Sequence, residues 1–242
     1  MLNIQKYGPA ILTIVALLAI IYLGIFVRSG TLSSPTVLDY DPWWFYRHAK
    51  EIYENNLRIP EWDILSFYPP GRSYAIGQGW PFTIAAMYKV LQNFMDIDLM
   101  KVAKLSPLIF VALIPIPAFL LGRLLSNNVG GLITALSAVA APTFIGVSMA
   151  GYSDTDVPVA FYTFLSIFTI FLAIQKSKSK LKSIPFYMLA IAVNILFVFN
   201  WGAGWFPLIL FLAFIPSLIV FRIVEDMWRQ RKIKFSFHHL VP

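Results

Sequence analysis

Long apolar blocks constrain the fold of this chain more than any other feature of its sequence. Blocks of about 20 apolar residues match the ~30 Å hydrocarbon core of a bilayer at a helical rise of about 1.5 Å per residue. Inside lipid, backbone groups must hydrogen-bond within their own segment, so each block is predicted to be a helix. Because 58% of the residues are hydrophobic and only 13% are charged, the chain is predicted to be an all-α, polytopic membrane helical bundle.

About six spans are predicted, over residues 8–28, 106–125, 131–150, 157–174, 184–199 and 204–222. The first block is longer than the apolar core of a signal peptide and no small-residue cleavage site follows it, so a retained helix is expected. The one long connection, residues 29–105, holds eight of the twelve acidic residues. Its apolar spacing predicts short amphipathic helices at the membrane face, around 42–56 and 82–92.

Basic residues predict the orientation of the bundle. The connection QKSKSKLKS at 175–183 has four lysines and no acid, and the tail after the last span is also basic. Both are therefore placed in the cytoplasm together with the N-terminus, and residues 29–105 are placed outside. The net charge of +7 is then a topology and lipid-headgroup signal, which argues against a nucleic-acid partner. The absence of cysteine excludes disulfides and thiolate metal sites.

Two short acidic motifs are predicted to lie on the same external face. Asp39-Tyr40-Asp41 follows the first span, and GYSDTD, with Asp154 and Asp156, precedes the fourth. Each motif has a simple interpretation as a helix N-cap, the first before a helix beginning at Pro42 and the second before Pro158.

A shared metal site is the alternative interpretation of these motifs. Pro158 disfavours a helical Val157, so the second motif is predicted to be non-helical, with both carboxylates pointing to one side. Like charges that converge repel each other unless a cation lies between them. Oxygen ligands favour Mg²⁺ or Mn²⁺ over zinc. Two D-x-D motifs on one face therefore favour a divalent-metal site over two unrelated caps.

Four stretches, in order along nearly the whole chain, resemble motifs of the oligosaccharyltransferase catalytic subunits. LDYDPWWFYRHAKEIYENN resembles their first external motif, and WDILSFYPPGR is similar to the element that follows it. AGYSDTDV resembles the second D-x-D motif in its archaeal form, and NWGAG resembles a Trp-Gly-Gly element between the fifth and sixth spans.

This resemblance implies a GT-C type glycosyltransferase. It would transfer an oligosaccharide from a lipid-linked polyprenyl phosphate or pyrophosphate donor to the asparagine of an Asn-x-Ser/Thr sequon in an acceptor polypeptide. By motif position, Asp41, Asp154 and Asp156 would bind Mn²⁺ or Mg²⁺, and Asp41 would also face the acceptor amide as a catalytic residue. Trp201 would lie near the donor or the acceptor, and Arg72 is assigned to a structural or phosphate-facing role.

The chain also departs from the family pattern. The sequon-reading soluble domain and a later external loop with a metal-facing glutamate are absent, so residues 1–242 are expected to be the N-terminal part of the GT-C transmembrane domain and inactive alone. Where some archaeal members carry a metal-facing histidine after Gly-Arg, this chain has Gln78, Gly79 and Trp80. His48 is interpreted as an interfacial or packing residue.

Two other functions are compatible with parts of this pattern. A relative with the same fold could glycosylate a hydroxyl acceptor, although GYSDTD fits that group less well. An ion-coupled transporter would require mid-membrane charges and an inverted repeat, and the sequence shows neither.

Overall fold

The computed structural model describes residues 4–74, 78–177 and 180–230. These residues form two compact units, within 1–204 and 205–242. The elements of the first unit are α1 (Ile4–Arg28), a 3₁₀ turn (Ser29–Thr31), α2 (Tyr40–Glu54), β1 (Trp62–Asp63), β2 (Arg72–Ser73), α3 (Gly79–Leu91), α4 (Leu99–Leu113), α5 (Pro115–Leu125), α6 (Asn128–Ala140), α7 (Pro142–Gly146), α8 (Asp156–Gln175) and α9 (Lys180–Asn200). The second unit contains α10 (Phe206–Gln230).

The predicted all-α membrane bundle is confirmed. In the described part of the chain, five helical segments are long and apolar enough to cross a membrane, namely Tyr7–Thr31, Leu99–Leu125, Asp156–Gln175, Ser183–Asn200 and Phe206–Trp228. A sixth apolar helix, α6, is shorter. Within the first unit, α1 packs against α4 and α6, α5 packs against α6, and α8 packs against α9.

Two predicted span boundaries differ from the structure for identifiable reasons. The second span begins at Leu99 instead of residue 106, because the Asp98 carboxylate caps α4 by accepting the Lys101 N–H at 2.6 Å. The third span, predicted as one helix over 131–150, is broken after Ala140. Ala141 is extended, with φ −61° and ψ 120°, because the following Pro142 disfavours a helical residue at that position.

The first connecting segment, residues 32–98, contains the two predicted amphipathic helices, which are confirmed as α2 and α3. Helix α2 buries Phe45, Ala49 and Ile52, which recur at helical spacing and form one apolar stripe. That stripe belongs to a single core with Trp80 and Ile84 of α3 and with residues of α4.

A small antiparallel pair that was not predicted lies between these helices, with Trp62 opposite Ser73 and Asp63 opposite Arg72. The orientation of the bundle remains a prediction. Residues 178–179 of the basic connection and the tail beyond residue 230 lie outside the described residues.

Candidate functional site

Backbone hydrogen bonds place the two acidic motifs side by side. The Leu38 N–H donates to the Gly151 carbonyl oxygen at 2.8 Å, and the Gly151 N–H donates to the Lys104 carbonyl oxygen at 2.9 Å. Gly151 has φ +87°, and a Cβ atom there would lie 3.3 Å from Leu38 Cγ. Glycine is therefore required where the second motif approaches the first.

The first acidic segment, residues 38–41, divides its two carboxylates between different environments. Asp39 accepts the Tyr40 N–H at 2.7 Å and caps α2, which begins at Tyr40 and not at Pro42 as predicted. The Asp39 backbone has φ +65° and ψ 175°, a conformation that costs an L residue about 1–3 kcal/mol. Because Asp39 provides the cap, Asp41 is left in the first turn with an exposed side chain.

The second acidic segment, residues 151–156, enters α8 earlier than predicted. Asp154 is non-helical and its carboxylate accepts hydrogen bonds from the N–H and hydroxyl of Thr155. Helix α8 begins at Asp156, so the prediction of a fully non-helical motif was wrong for Asp156 and Val157. Pro158 is tolerated in this first turn because its missing N–H would have no acceptor within the helix.

Burial and neighbouring carboxylates both raise pKa values in the second acidic segment. Burial raises the pKa of Asp154, the two hydrogen bonds from Thr155 partly offset this effect, and the carboxylates of Asp41 and Asp39 raise the pKa further. Burial and the nearby Asp39 carboxylate likewise raise the pKa of the Tyr152 hydroxyl. The carboxylates of the two segments are therefore close enough to repel each other, which is an environment that a cation would stabilise.

A second polar cluster lies in the first connecting segment. Arg47 forms a bidentate pair with Asp63 at 2.9 and 2.6 Å and also donates to Glu51 at 2.7 Å. His48 Nε2 lies 2.8 Å from Arg47 Nη2. This cluster keeps the pKa of Asp63 well below its usual range, mainly through Arg47.

Within the described residues, only His48, Glu51 and Asp63 form a group of three possible metal ligands whose donor atoms all lie within 4.8 Å of one another. However, the Arg47 guanidinium contacts all three side chains. Because that permanent positive charge already occupies the position of a cation, we assign the group to an arginine-centred structural cluster. The predicted ligands Asp41, Asp154 and Asp156 are not such a tight group, although they lie on adjacent segments.

Burial lowers the pKa of His48, while its contacts with Gln78 and Asp63 partly offset this effect. His48 Nε2 lies 2.8 Å from Arg47 Nη2 and 3.0 Å from Asp63 Oδ2, and Nδ1 lies 3.0 Å from Gln78 Oε1. His48 is thus a buried, hydrogen-bonded residue. The i,i+4 spacing of Arg47 and Glu51 was the one sequence signal for this cluster, and nothing in the sequence indicated Asp63.

The two predicted substrate residues lie on other elements. Arg72 is exposed in β2 and lies opposite Asp63 in the small sheet. Trp201 follows the last residue of α9, and its ring stacks on Phe197 with centroids 6.1 Å apart. Gly79, one of the three residues compared above with the family histidine, packs against α9 so closely that a Cβ atom would lie 2.7 Å from Asn200 Cα.

Solved structures share this fold. An oligosaccharyltransferase from Archaeoglobus fulgidus in complex with Zn and sulfate superposes with a TM-score of 0.75 at 22% identity, over 83% of this chain and 26% of that one. The archaeal oligosaccharyltransferase AglB from the same organism, in complex with an inhibitory peptide and a dolichol-phosphate, gives 0.74 at 21% identity, over 88% of this chain and 26% of that one. An Archaeoglobus fulgidus oligosaccharyltransferase tethered through a disulfide bond to an acceptor peptide containing the NVT sequon gives 0.75 at 21% identity, over 88% of this chain and 26% of that one.

Sequence relatives agree with the fold. A dolichyl-phosphooligosaccharide-protein glycotransferase of Methanococcus voltae is 26% identical over 216 residues, which is 83% of this chain and 23% of that protein. The chain therefore spans about a quarter of the length of the relatives that it matches. The family model described as oligosaccharyl transferase STT3, N-terminal, matches residues 11–235. Because that match covers nearly the whole chain, the protein belongs to the STT3 oligosaccharyl transferase family and corresponds to its N-terminal region.

Proposed function

We propose that this chain is the N-terminal part of a metal-dependent oligosaccharyltransferase. The enzyme would transfer an oligosaccharide from a lipid-linked polyprenyl phosphate or pyrophosphate to the asparagine of Asn-x-Ser/Thr sequons. Family membership supports this function, as do the relatives bound to a dolichol-phosphate and to an NVT peptide. The observation that carries it is the hydrogen bond from Leu38 N–H to the Gly151 carbonyl, which joins the two acidic segments.

Asp41, Asp154 and Asp156 are the ligands in this proposal. Their donor set consists only of carboxylates, which suits Mg²⁺ or Mn²⁺, and the fold relative that is complexed with Zn is compatible with a divalent ion in this family. A bound ion would act as a Lewis acid on the leaving phosphate oxygen. Asp154 is held in place by Thr155. The exposed Asp41 is available to accept an N–H of the acceptor amide and to orient it.

Arg72 and Trp201 are proposed as substrate-binding residues. The Arg72 guanidinium is exposed and could pair with a phosphate oxygen of the donor. Trp201 offers an indole ring at the end of α9, next to the predicted membrane surface. In this proposal the protein is a multi-pass protein of the cell membrane, the N-terminus is cytoplasmic, and residues 29–105 form the external loop of the GT-C domain.

Mn²⁺ titration of the detergent-solubilised chain tests the metal site. Asp41→Asn, Asp154→Asn and Asp156→Asn should each weaken Mn²⁺ binding by about tenfold or more, because each removes one charged ligand. Asp98→Asn is the matched control, since it makes the same change of charge while an asparagine can still cap α4. Equal affinities for wild type and all four variants would contradict the assignment.

A chimera tests the transfer reaction. Residues 1–242 would replace the matching quarter of the M. voltae glycotransferase, and membranes would supply the lipid-linked donor. Transfer to an Asn-Val-Thr peptide is expected, with loss of transfer in the Asp41→Asn chimera. A peptide carrying Ala in place of Asn is the acceptor control, because it keeps the Thr hydroxyl and has no side-chain amide. Its modification would indicate a hydroxyl acceptor, the alternative that the relatives do not favour.

A further inference from the structure

One arginine lies fully buried within the first membrane span. Arg28 is the last residue of α1 and is 0% exposed. It forms no ion pair with any of the residues that the structure describes. A buried cation without a carboxylate partner requires another source of negative potential.

The partners of Arg28 lie in α1 itself, in α6 and in the turn after α7. Its Nε donates to Ser148 Oγ at 2.6 Å, its Nη1 to the Gly24 carbonyl at 3.1 Å and its Nη2 to the Val139 carbonyl at 2.9 Å. The guanidinium also lies over the Phe144 ring, 5.1 Å from its centroid. These contacts connect α1 to the end of α6, to α7 and to the turn after α7.

The break after Ala140 explains why a cation is stable here. Carbonyl groups in the last turn of a helix lack a donor within the helix and carry the negative end of its dipole. Val139 lies in that last turn of α6, and Pro142 prevents the helix from continuing. The guanidinium therefore caps a helix end that would otherwise leave polar groups in the apolar interior.

The backbone carbonyl of Arg28 also hydrogen-bonds to the segment that leads to the second acidic motif. Its carbonyl accepts the Ala150 N–H at 3.0 Å, and the Thr31 hydroxyl donates to the Ala150 carbonyl at 2.7 Å. The next residue, Gly151, accepts the hydrogen bond from Leu38. Arg28 thus contacts both ends of residues 148–150, from which the chain leads directly into Asp154.

We infer that Arg28 is a positioning residue for the proposed metal site, because its guanidinium joins the end of α6 to Ser148 and so sets the backbone path that leads to Asp154. The inference rests on the proposed function. Arginine is required because its planar group reaches three acceptors at once, whereas a lysine ammonium is a point charge on a flexible stem.

The test measures Mn²⁺ affinity and thermal unfolding together on the full detergent-solubilised chain. Arg28→Met should raise the Mn²⁺ dissociation constant by about 10–100-fold, as the loss of groups that orient metal ligands does. Arg28→Lys should recover part of this affinity. Ser148→Ala, which removes only the Nε partner, should weaken binding less than Arg28→Met does. Arg123→Met, an exposed arginine at the end of α5, is the matched control and should leave binding unchanged.

The outcomes separate the two hypotheses. If the wild type binds no Mn²⁺, the proposed metal site fails and this inference fails with it. If the wild type binds Mn²⁺ and Arg28→Met binds equally well while unfolding at a lower temperature, Arg28 has a structural role only and this inference alone is overturned. If Arg28→Met does not fold, the Mn²⁺ affinities of Arg28→Lys and Ser148→Ala provide the test. Affinities equal to that of the wild type in both variants would overturn the positioning role of Arg28.

Discussion

Asp63 accepts two hydrogen bonds from one guanidinium, from Arg47 Nη1 at 2.9 Å and from Arg47 Nη2 at 2.6 Å. The Asp63 side chain is only 3% exposed and that of Arg47 is 26% exposed, so the carboxylate end of this pair is buried and the guanidinium end is partly open to solvent. It joins β1 to α2, the helix whose first turn carries Asp41.

Removal of Asp63 should destabilise the protein strongly. Asp63→Asn removes the main charged partner of Arg47, and loss of a hydrogen bond between charged groups costs about 2 kcal/mol. Lys50→Gln is the control, because Lys50 and Glu54 form an exposed pair at 3.9 Å that is worth at most about 0.5 kcal/mol. Thermal unfolding of the solubilised chain would measure both, and equal effects would contradict the buried-pair assignment.

Acid should destabilise the same cluster in two steps. Burial lowers the pKa of His48 from 6.5, so the unfolded chain takes up the proton first as the pH falls below 6.5, and stability decreases there. The pKa of Asp63 is lowered from 3.8, so its contribution is fully present above 3.8 and is lost only at lower pH. Unfolding midpoints measured across this pH range would show the two steps.

His48→Gln identifies the first of these steps. Glutamine keeps hydrogen-bonding capacity but does not titrate, so the stability loss that begins near pH 6.5 should be reduced in this variant. An unchanged pH profile would show that other groups are responsible for that step.

The thermal stability of variants at Asp39 should depend on the backbone conformation of this residue as well as on its helix cap. Asp39→Ala removes the cap to Tyr40, which costs about 1 kcal/mol, and keeps a β-carbon at φ +65°. Asp39→Gly also removes the carboxylate but relieves the backbone strain, since glycine adopts positive φ readily. The glycine variant should therefore unfold at a higher temperature than the alanine variant, and the reverse order would contradict the strained geometry.

Gly151→Ala should weaken both the fold and Mn²⁺ binding. The positive φ of Gly151 costs an L residue about 1–2 kcal/mol, and the new methyl group would press on Leu38. Gly146→Ala is the control, because a Cβ atom there meets nothing within 4 Å and alanine favours the helical conformation of α7. Thermal unfolding and Mn²⁺ titration of both variants would measure these effects. Unchanged stability and affinity in Gly151→Ala would contradict the close approach of the two segments.

The apolar blocks were sufficient to predict the membrane helices, and the apolar spacing of residues 42–56 and 82–92 was sufficient to predict α2 and α3. A capping carboxylate and a proline moved two helix boundaries away from the ends of the apolar blocks. Asp98 begins α4 earlier than the apolar pattern does, and Pro142 divides the third block into α6 and α7. The Arg47–Asp63 pair was not predictable, because Asp63 lies in a short strand whose position depends on the packing of the loop around it.

The sequence by itself determined that this chain is a bundle of membrane helices, because a backbone in lipid has no hydrogen-bonding partner outside its own helix. Its motifs were also enough to predict the family that the match over residues 11–235 shows. The motifs also predicted one face for Asp41 and Asp154, but only the tertiary structure decided that a hydrogen bond joins their segments and that Arg28 caps a broken helix beside them. Both relationships depend on hydrogen bonds to backbone groups far apart along the chain, and every residue carries such groups, so no side-chain pattern reveals which of them will pair.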